Sequence, residues 1–186
     1  MRFNQLVWPL VSIAALLAGC EPQHVQQQVT ASLQVSSSTM NSGALPVKCG
    51  CNGEGSSPQL SWGDPPAGTQ SFALLMDDRD AVVGHLHRHY FVHWLAFDMP
   101  PERRELTEAL TREALPDGSQ QGTNDTGATG YAGPCPDPGA AHHYAFTIYA
   151  LDTKLGLSPT ARGSALLRAA DGHILARGAV IGSYQR

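Results

Sequence analysis

Residues 71–100, SFALLMDDRDAVVGHLHRHYFVHWLAFDMP, set the narrowest limits on how this chain can fold. Two apolar runs, Ser71–Met76 and Tyr90–Met99, are short and rich in aromatic and branched side chains, so each is expected to be a buried β-strand. Asp78 and Asp80 follow the first run, and His93 sits inside the second between Val92 and Trp94. An imidazole in a buried strand needs a hydrogen-bonding partner or a mouth open to water, because desolvation penalises its charged form. The carboxylates of Asp78 and Asp80 are the nearest candidate partners in sequence. Glycine (19) and proline (13) are spread between further short apolar runs, which favours a mainly β chain with long loops over a helical bundle.

The chain opens with MRFNQLVWPLVSIAALLAGC, one arginine before an apolar run that contains Pro9 and ends in small residues. Such a run is an export signal and is short for a transmembrane helix. Its end, Leu17-Ala18-Gly19-Cys20, resembles the lipobox of bacterial lipoproteins. That likeness implies that residues 1–19 are a signal peptide and that Cys20 is the acylated mature N-terminus, anchored by more than one chain. An ordinary secretory signal with a chance cysteine is the alternative. Residues 20–38, polar and rich in Gln and Ser, are expected to form a tether, with Leu33-Gln34-Val35 alternating as a candidate edge strand. Residues 39–186 then make one domain, in the bacterial cell envelope and facing the periplasm.

Lys+Arg 12 against Asp+Glu 16 gives a formal net charge of −4, so the chain has no electrostatic footprint for nucleic acid. No basic run points to acidic lipid, which leaves the N-terminal lipid as the membrane contact. There is no P-loop, nucleophile elbow or dinucleotide fingerprint, and no cofactor is expected. Beyond the signal the cysteines are Cys49, Cys51 and Cys135. An odd number in an oxidising compartment suggests one bridge and one free thiol. Cys51–Cys135 is the expected pair, with Cys49 a competitor; if Val47–Cys51 is extended, both cysteines face the same way.

SPQLSW at 57–62, PAGTQSFAL at 66–74, Asp78-Arg79-Asp80-Ala81 and Val92-His93-Trp94 together resemble the phosphatidylethanolamine-binding protein family, in its bacterial, Raf-kinase-inhibitor-like branch. Gly122–Gly127, GTNDTG, resembles that family's glycine, asparagine and aspartate loop, and Gly130–Tyr144 its proline-rich loop running into a His-x-Tyr strand. The ending, with Gly172–Ala176 and Gly182-Ser183-Tyr184, also fits, so the likeness covers about Val47 to Arg186. It implies a β-sandwich with a few peripheral helices and a surface anion cavity, lined here by Asp78, Asp80, His93, His142 and Tyr144. The chemistry of these residues agrees, since a carboxylate can orient an imidazole while imidazoles and a hydroxyl offer donors to phosphate oxygens. The implied function is a membrane-tethered protein that binds a phosphorylated small molecule or phospholipid headgroup, with inhibition or modulation of a partner protein as a consequence.

The chain also departs from the family pattern. Arg79 and Asp137 stand where prolines are usual, and either could change the charge at the cavity rim; Val82 and His143 are further replacements. Gly84–His89 reads as an insertion in which His85, His87 and His89 alternate, a spacing that can chelate zinc or copper if the segment is extended. A metal-binding protein or a His-dependent hydrolase built on that segment is therefore the alternative function, and a solvated loop the bland one. Among the remaining elements, Pro100–Pro116 suggests a surface helix or a decorated loop, and Ala145–Leu151 a core strand. Ser158-Pro159 suggests a helix start, with Ala161, Ala165, Leu166 and Ala169 as the apolar face and Gly172 at its end, and Ile174–Tyr184 a last strand.

Overall fold

The computed structural model describes residues 31–81, 90–110, 115 and 117–186. Its strands are β1 (Ala31–Ser32), β2 (Val35–Ser36), β3 (Leu60–Trp62), β4 (Ser71–Asp78), β5 (Phe91–Met99), β6 (Glu105–Leu106), β7 (Gln120–Gln121), β8 (His142–Leu151) and β9 (Ile174–Tyr184). A 3₁₀ turn spans Val47–Cys49, and helix α1, Gly163–Ala170, lies between β8 and β9. Six strands form one sheet in the order β1-β9-β8-β4-β5-β7, and three form another in the order β2-β3-β6. Pairing is antiparallel except between β1 and β9.

Alternation along β4 shows why its sequence reads as continuously apolar. Phe72, Leu74 and Met76 enter one core with Leu60, Trp62 and Leu106 of the small sheet, and with Trp94, Phe146 and Ile148. Ala73 and Leu75 belong to a second core with Leu95, Phe97 and Leu151, beneath Leu166 and Ala170 of α1. The central strand is therefore covered on both faces, by a sheet and by a helix, which leaves few polar positions along it. Each fully buried Phe, Leu or Met of these strands stabilises the fold by roughly 1.5–3 kcal/mol through removal from water.

The strands expected at 71–76, 90–99, 145–151 and 174–184 are present as β4, β5, β8 and β9. Other boundaries differ. Residues 31–38 supply β1 and β2 and bury Leu33, in line with the edge strand expected around Leu33–Val35, so the folded part begins before the tether boundary drawn at residue 38. Val47–Cys49 coils rather than extending. Cys49 is thereby fully buried as a free thiol, while Cys51 is exposed and bonded to Cys135. That bridge joins residues 84 apart and contributes about 4–5 kcal/mol in the chain-entropy model. Within the described part of Pro100–Pro116 there is no helix; Leu106 is instead buried in β6.

Helix α1 starts at Gly163, later than the Ser-Pro signal suggests. Residues 158–161 form a separate turn, with Ala161 N–H donating to the Ser158 carbonyl at 2.8 Å and Thr160 N–H to the Ser158 hydroxyl at 3.2 Å. Gly163 lets the helix end rest directly on the sheet, because a Cβ there would lie 2.8 Å from Val92 Cγ2. Leu166 and Ala170 are its buried apolar residues, and Ala161 precedes it.

Candidate functional site

The ends of β4, β5 and β8 meet at one edge of the large sheet. Asp78 lies opposite Phe91 on one side and Tyr144 on the other, and Tyr144 is opposite Gly182 of β9. Beside this junction is a surface cavity of about 460 Å³. All five residues nominated from the sequence, Asp78, Asp80, His93, His142 and Tyr144, line it. Ala81, Thr126 and the loop residues Gly133, Cys135, Pro136 and Asp137 complete the lining.

Asp78 is buried and serves as the organising acceptor. Its Oδ1 accepts the backbone N–H groups of Asp80 at 2.9 Å and Ala81 at 3.1 Å, and its Oδ2 lies 2.8 Å from His142 Nδ1. Because an ionised carboxylate only accepts, His142 donates through Nδ1 and keeps Nε2 for another partner. Asp80 turns outward instead: its Oδ2 accepts from the His143 backbone N–H at 2.7 Å and pairs with His143 Nδ1 at 2.8 Å. These bonds, the ring's first and the backbone's second, hold the Asp80 carboxyl below its usual range.

His93 does not pair with either aspartate, contrary to the sequence expectation. Its Nδ1 donates to the carbonyl of Ala132 at 2.8 Å, and its ring makes an edge contact with Tyr144, centroids 5.2 Å apart. Burial pushes the His93 pKa down, against the opposing effects of the Ala132 hydrogen bond and the Asp78 charge. In the neutral ring Nε2 is an acceptor. Tyr144 is fully buried, and burial followed by the nearby Asp78 charge pushes its pKa up. Its hydroxyl is coupled to the Asp78 carboxylate but is out of hydrogen-bonding geometry with it, leaving a buried polar atom without a well-formed bond.

Two loops form the rest of the wall. In the loop after β7, buried Asn124 accepts from Thr126 N–H, Thr126 Oγ1 and Ala128 N–H while donating to the Gly130 carbonyl, and Asp125 accepts from Val92 N–H at 2.8 Å. These bonds place Thr126 at the cavity. The sequence signal was present in the polar GTNDTG segment, since Asn and Asp side chains cap their own turns. The second loop, residues 131–137, packs against the 3₁₀ turn at Gly133, where a Cβ would lie 2.5 Å from the Cys49 carbonyl oxygen. No sequence signal marks the Ala132 carbonyl, because any residue type supplies one.

The two replacements at proline positions separate. Asp137 lines the cavity, whereas Arg79 pairs with Asp77 at 3.3 Å and lines a different groove with Leu75, Tyr90, Tyr149 and Leu167. Arg79 therefore does not alter the cavity rim. His85, His87 and His89 lie outside the described residues. Among the described residues no group of three or more His, Cys, Asp or Glu is arranged to hold a metal, and no helix is long and apolar enough to cross a membrane.

Residues 35–185 match the family model described as phosphatidylethanolamine-binding protein. A UPF0098 protein of Methanothermobacter thermautotrophicus is 43% identical over 145 residues, which span 77% of this chain and 92% of that one. The crystal structure of Escherichia coli YbcL, described as a new member of the mammalian family, superimposes with a TM-score of 0.76 at 30% identity and covers 84% of this chain and 99% of its own. A Mycobacterium tuberculosis protein named as lipoprotein LppC is 38% identical over 133 residues, 69% of this chain and 61% of that protein. A family match over most of the chain, a mainly β sandwich and near-complete coverage of the Methanothermobacter and Escherichia coli relatives lead to one conclusion: this chain belongs to the phosphatidylethanolamine-binding protein family.

Proposed function

We propose that this protein is a membrane-tethered binding module whose cavity takes the phosphorylated headgroup of a phospholipid or a similar small anion. The observation that carries the reading is the Asp78–His142 contact. Two backbone N–H groups fix one carboxylate oxygen, the other fixes the imidazole, and the remaining ring nitrogen is left for a ligand. When that nitrogen is protonated, it becomes a charge-assisted donor to a phosphate oxygen. The lining also includes Asp80 and Asp137, so a zwitterionic headgroup that brings its own cation suits the cavity better than a bare phosphate.

Tethering follows from Cys20 as the acylated N-terminus, with support from a relative that is itself named a lipoprotein. Residues 20–30 would then tether the domain to the envelope membrane on its periplasmic side, and any effect on a partner protein would follow from occupancy of the cavity. The test is titration of the full-length protein in detergent micelles with phosphoethanolamine and with inorganic phosphate, following the His93 and His142 ring signals by NMR. Saturable shifts at both rings, with tighter binding of phosphoethanolamine, support the reading. Signals that stay still at millimolar concentrations of both compounds reject it.

A further inference from the structure

One wall of the cavity is a cross-linked loop. Gly133, Cys135 and Asp137 line it, and the carbonyl of Ala132, just upstream, fixes the His93 ring at 2.8 Å. Cys135 is bonded to Cys51, and both half-cystines are exposed, so an external thiol can reach the bridge. Besides the bridge, the loop is held to the 3₁₀ turn by Cys51 N–H donating to the Pro134 carbonyl at 3.0 Å and Tyr131 Oη donating to the Cys49 carbonyl at 3.0 Å.

The two sulfurs have different surroundings. Arg186 Nη1 lies 3.6 Å from Cys135 Sγ. A guanidinium beside one sulfur stabilises it as a thiolate and makes it the better leaving group. Cys49 is close in sequence but is fully buried, and burial pushes its thiol pKa up to about 11, so it is a poor internal nucleophile.

We infer that the Cys51–Cys135 bridge is a thiol-exchange site through which a small-molecule or protein thiol controls the assembly of the cavity. The incoming thiolate attacks Cys51 Sγ and forms a mixed disulfide there. The Cys51–Cys135 bond breaks, and its electron pair leaves with Cys135 as a thiolate beside Arg186. A second thiolate that attacks the added sulfur releases Cys51 as a thiolate and carries away the oxidised thiol pair, so the external thiols supply both electrons. Without the covalent link the loop is held to the 3₁₀ turn by the two hydrogen bonds at Pro134 and Tyr131, and to β5 by Ala132 N–H donating to the His93 carbonyl at 2.9 Å. Opening of these weaker ties withdraws the Ala132 carbonyl from the His93 ring and opens the wall formed by Gly133 and Asp137. The effect on ligand rests on the cavity reading proposed above; the exchange chemistry does not.

The test exposes the full-length protein in detergent micelles to glutathione under native conditions. Peptide mapping should find glutathione on Cys51 and a free thiol at Cys135, and Arg186→Gln should slow the exchange several-fold. The His93 ring signals should move, phosphoethanolamine affinity should fall at least tenfold, and near-ultraviolet circular dichroism should remain that of a folded domain. A bridge that resists glutathione, label on Cys135 in place of Cys51, or exchange at an unchanged rate in Arg186→Gln would overturn the inference. So would cleavage that leaves His93 and affinity unmoved, or cleavage that unfolds the whole domain. If the oxidised protein binds no phosphoethanolamine, the proposed ligand fails on its own, and the label map with the His93 signals still decides the exchange site.

Discussion

Replacing Asp78 with asparagine isolates the charge at the centre of the site. The asparagine side chain would keep an oxygen for the Asp80 and Ala81 N–H groups, which now donate at 2.9 and 3.1 Å, so the strand end should hold its shape. Its amide nitrogen would replace Oδ2, the atom 2.8 Å from His142 Nδ1. Two donors would then face each other, and His142 would have to move its proton to Nε2 to restore the bond. The variant therefore loses one charge-assisted hydrogen bond, a contact worth roughly 1.5–3 kcal/mol. Only the part of that interaction realised when the ring is charged counts towards anion affinity, which places the expected loss near the lower end, about tenfold.

Calorimetric titration of phosphoethanolamine into wild type and Asp78→Asn, from acidic to mildly alkaline pH, reads this directly. Wild-type affinity should rise on acidification as imidazole nitrogens become donors. His93 should contribute only below the ordinary imidazole range, because burial holds its pKa down. The variant should show a weaker rise and a weaker affinity near neutrality. Affinity that is flat with pH and indifferent to the substitution would refute the reasoning, and so would tighter binding by Asp78→Asn, which would mean that repulsion by the carboxylate outweighs its support of the ring.

Cys20→Ser should move the protein from the membrane pellet to the soluble fraction, and retention in the pellet would contradict acylation at Cys20. Tyr144→Phe should leave the unfolding free energy of the ligand-free protein unchanged or raise it by up to about 1 kcal/mol, since no well-formed hydrogen bond is lost; urea unfolding checks this. Because the folded-state pKa of His93 is lowered, the unfolded state binds the proton more readily, so its contribution to stability is full above about pH 6.5 and declines as pH falls towards the folded-state value. His93→Gln should remove that part of the decline in urea midpoints between about pH 7.5 and 5, and a slope identical to wild type would show that His93 does not set it.

How much of this was legible in the sequence depended on element length and on what kind of atom does the work. β4, β5, β8 and β9 each run for eight residues or more, and the first three have long buried stretches, so length and apolar runs reveal them. β1, β2, β6 and β7 have two residues each, too few to carry a period, and exist because the neighbouring strands offer them partners. The Ser158-Pro159 signal has a physical basis, but the local turn at Ser158 satisfies it before the helix begins. Within the site, acids, imidazoles and the Cys51–Cys135 pairing could be nominated by residue type. The acceptor that orients His93 is a main-chain carbonyl, and the burial of Cys49 depends on a 3₁₀ turn, neither of which residue type discloses.

At the end of β4, successive charged residues meet different fates. Strand alternation sends Asp78 towards the cavity and Asp77 towards the helix-covered face, and Arg79 follows Asp77 there. On that face burial raises the Asp77 pKa while the exposed Arg79 guanidinium opposes the shift, so the arginine compensates a locally desolvated carboxyl and adds nothing to the cavity. Asp80 reaches the cavity rim but already accepts two bonds from His143. Of Arg79 and Asp137, both read from the sequence as departures from the family pattern, Asp137 is thus the one that adds a carboxylate to the cavity lining, and it stands two residues from the Cys51–Cys135 bridge. A bare anion entering between His93 and His142 would meet that carboxylate as a repulsive neighbour, whereas a headgroup that carries a cation close to its phosphate can turn the same carboxylate into a partner. On the proposed reading, ligand choice in this protein therefore depends on the loop that the disulfide holds as much as on the imidazoles that face it.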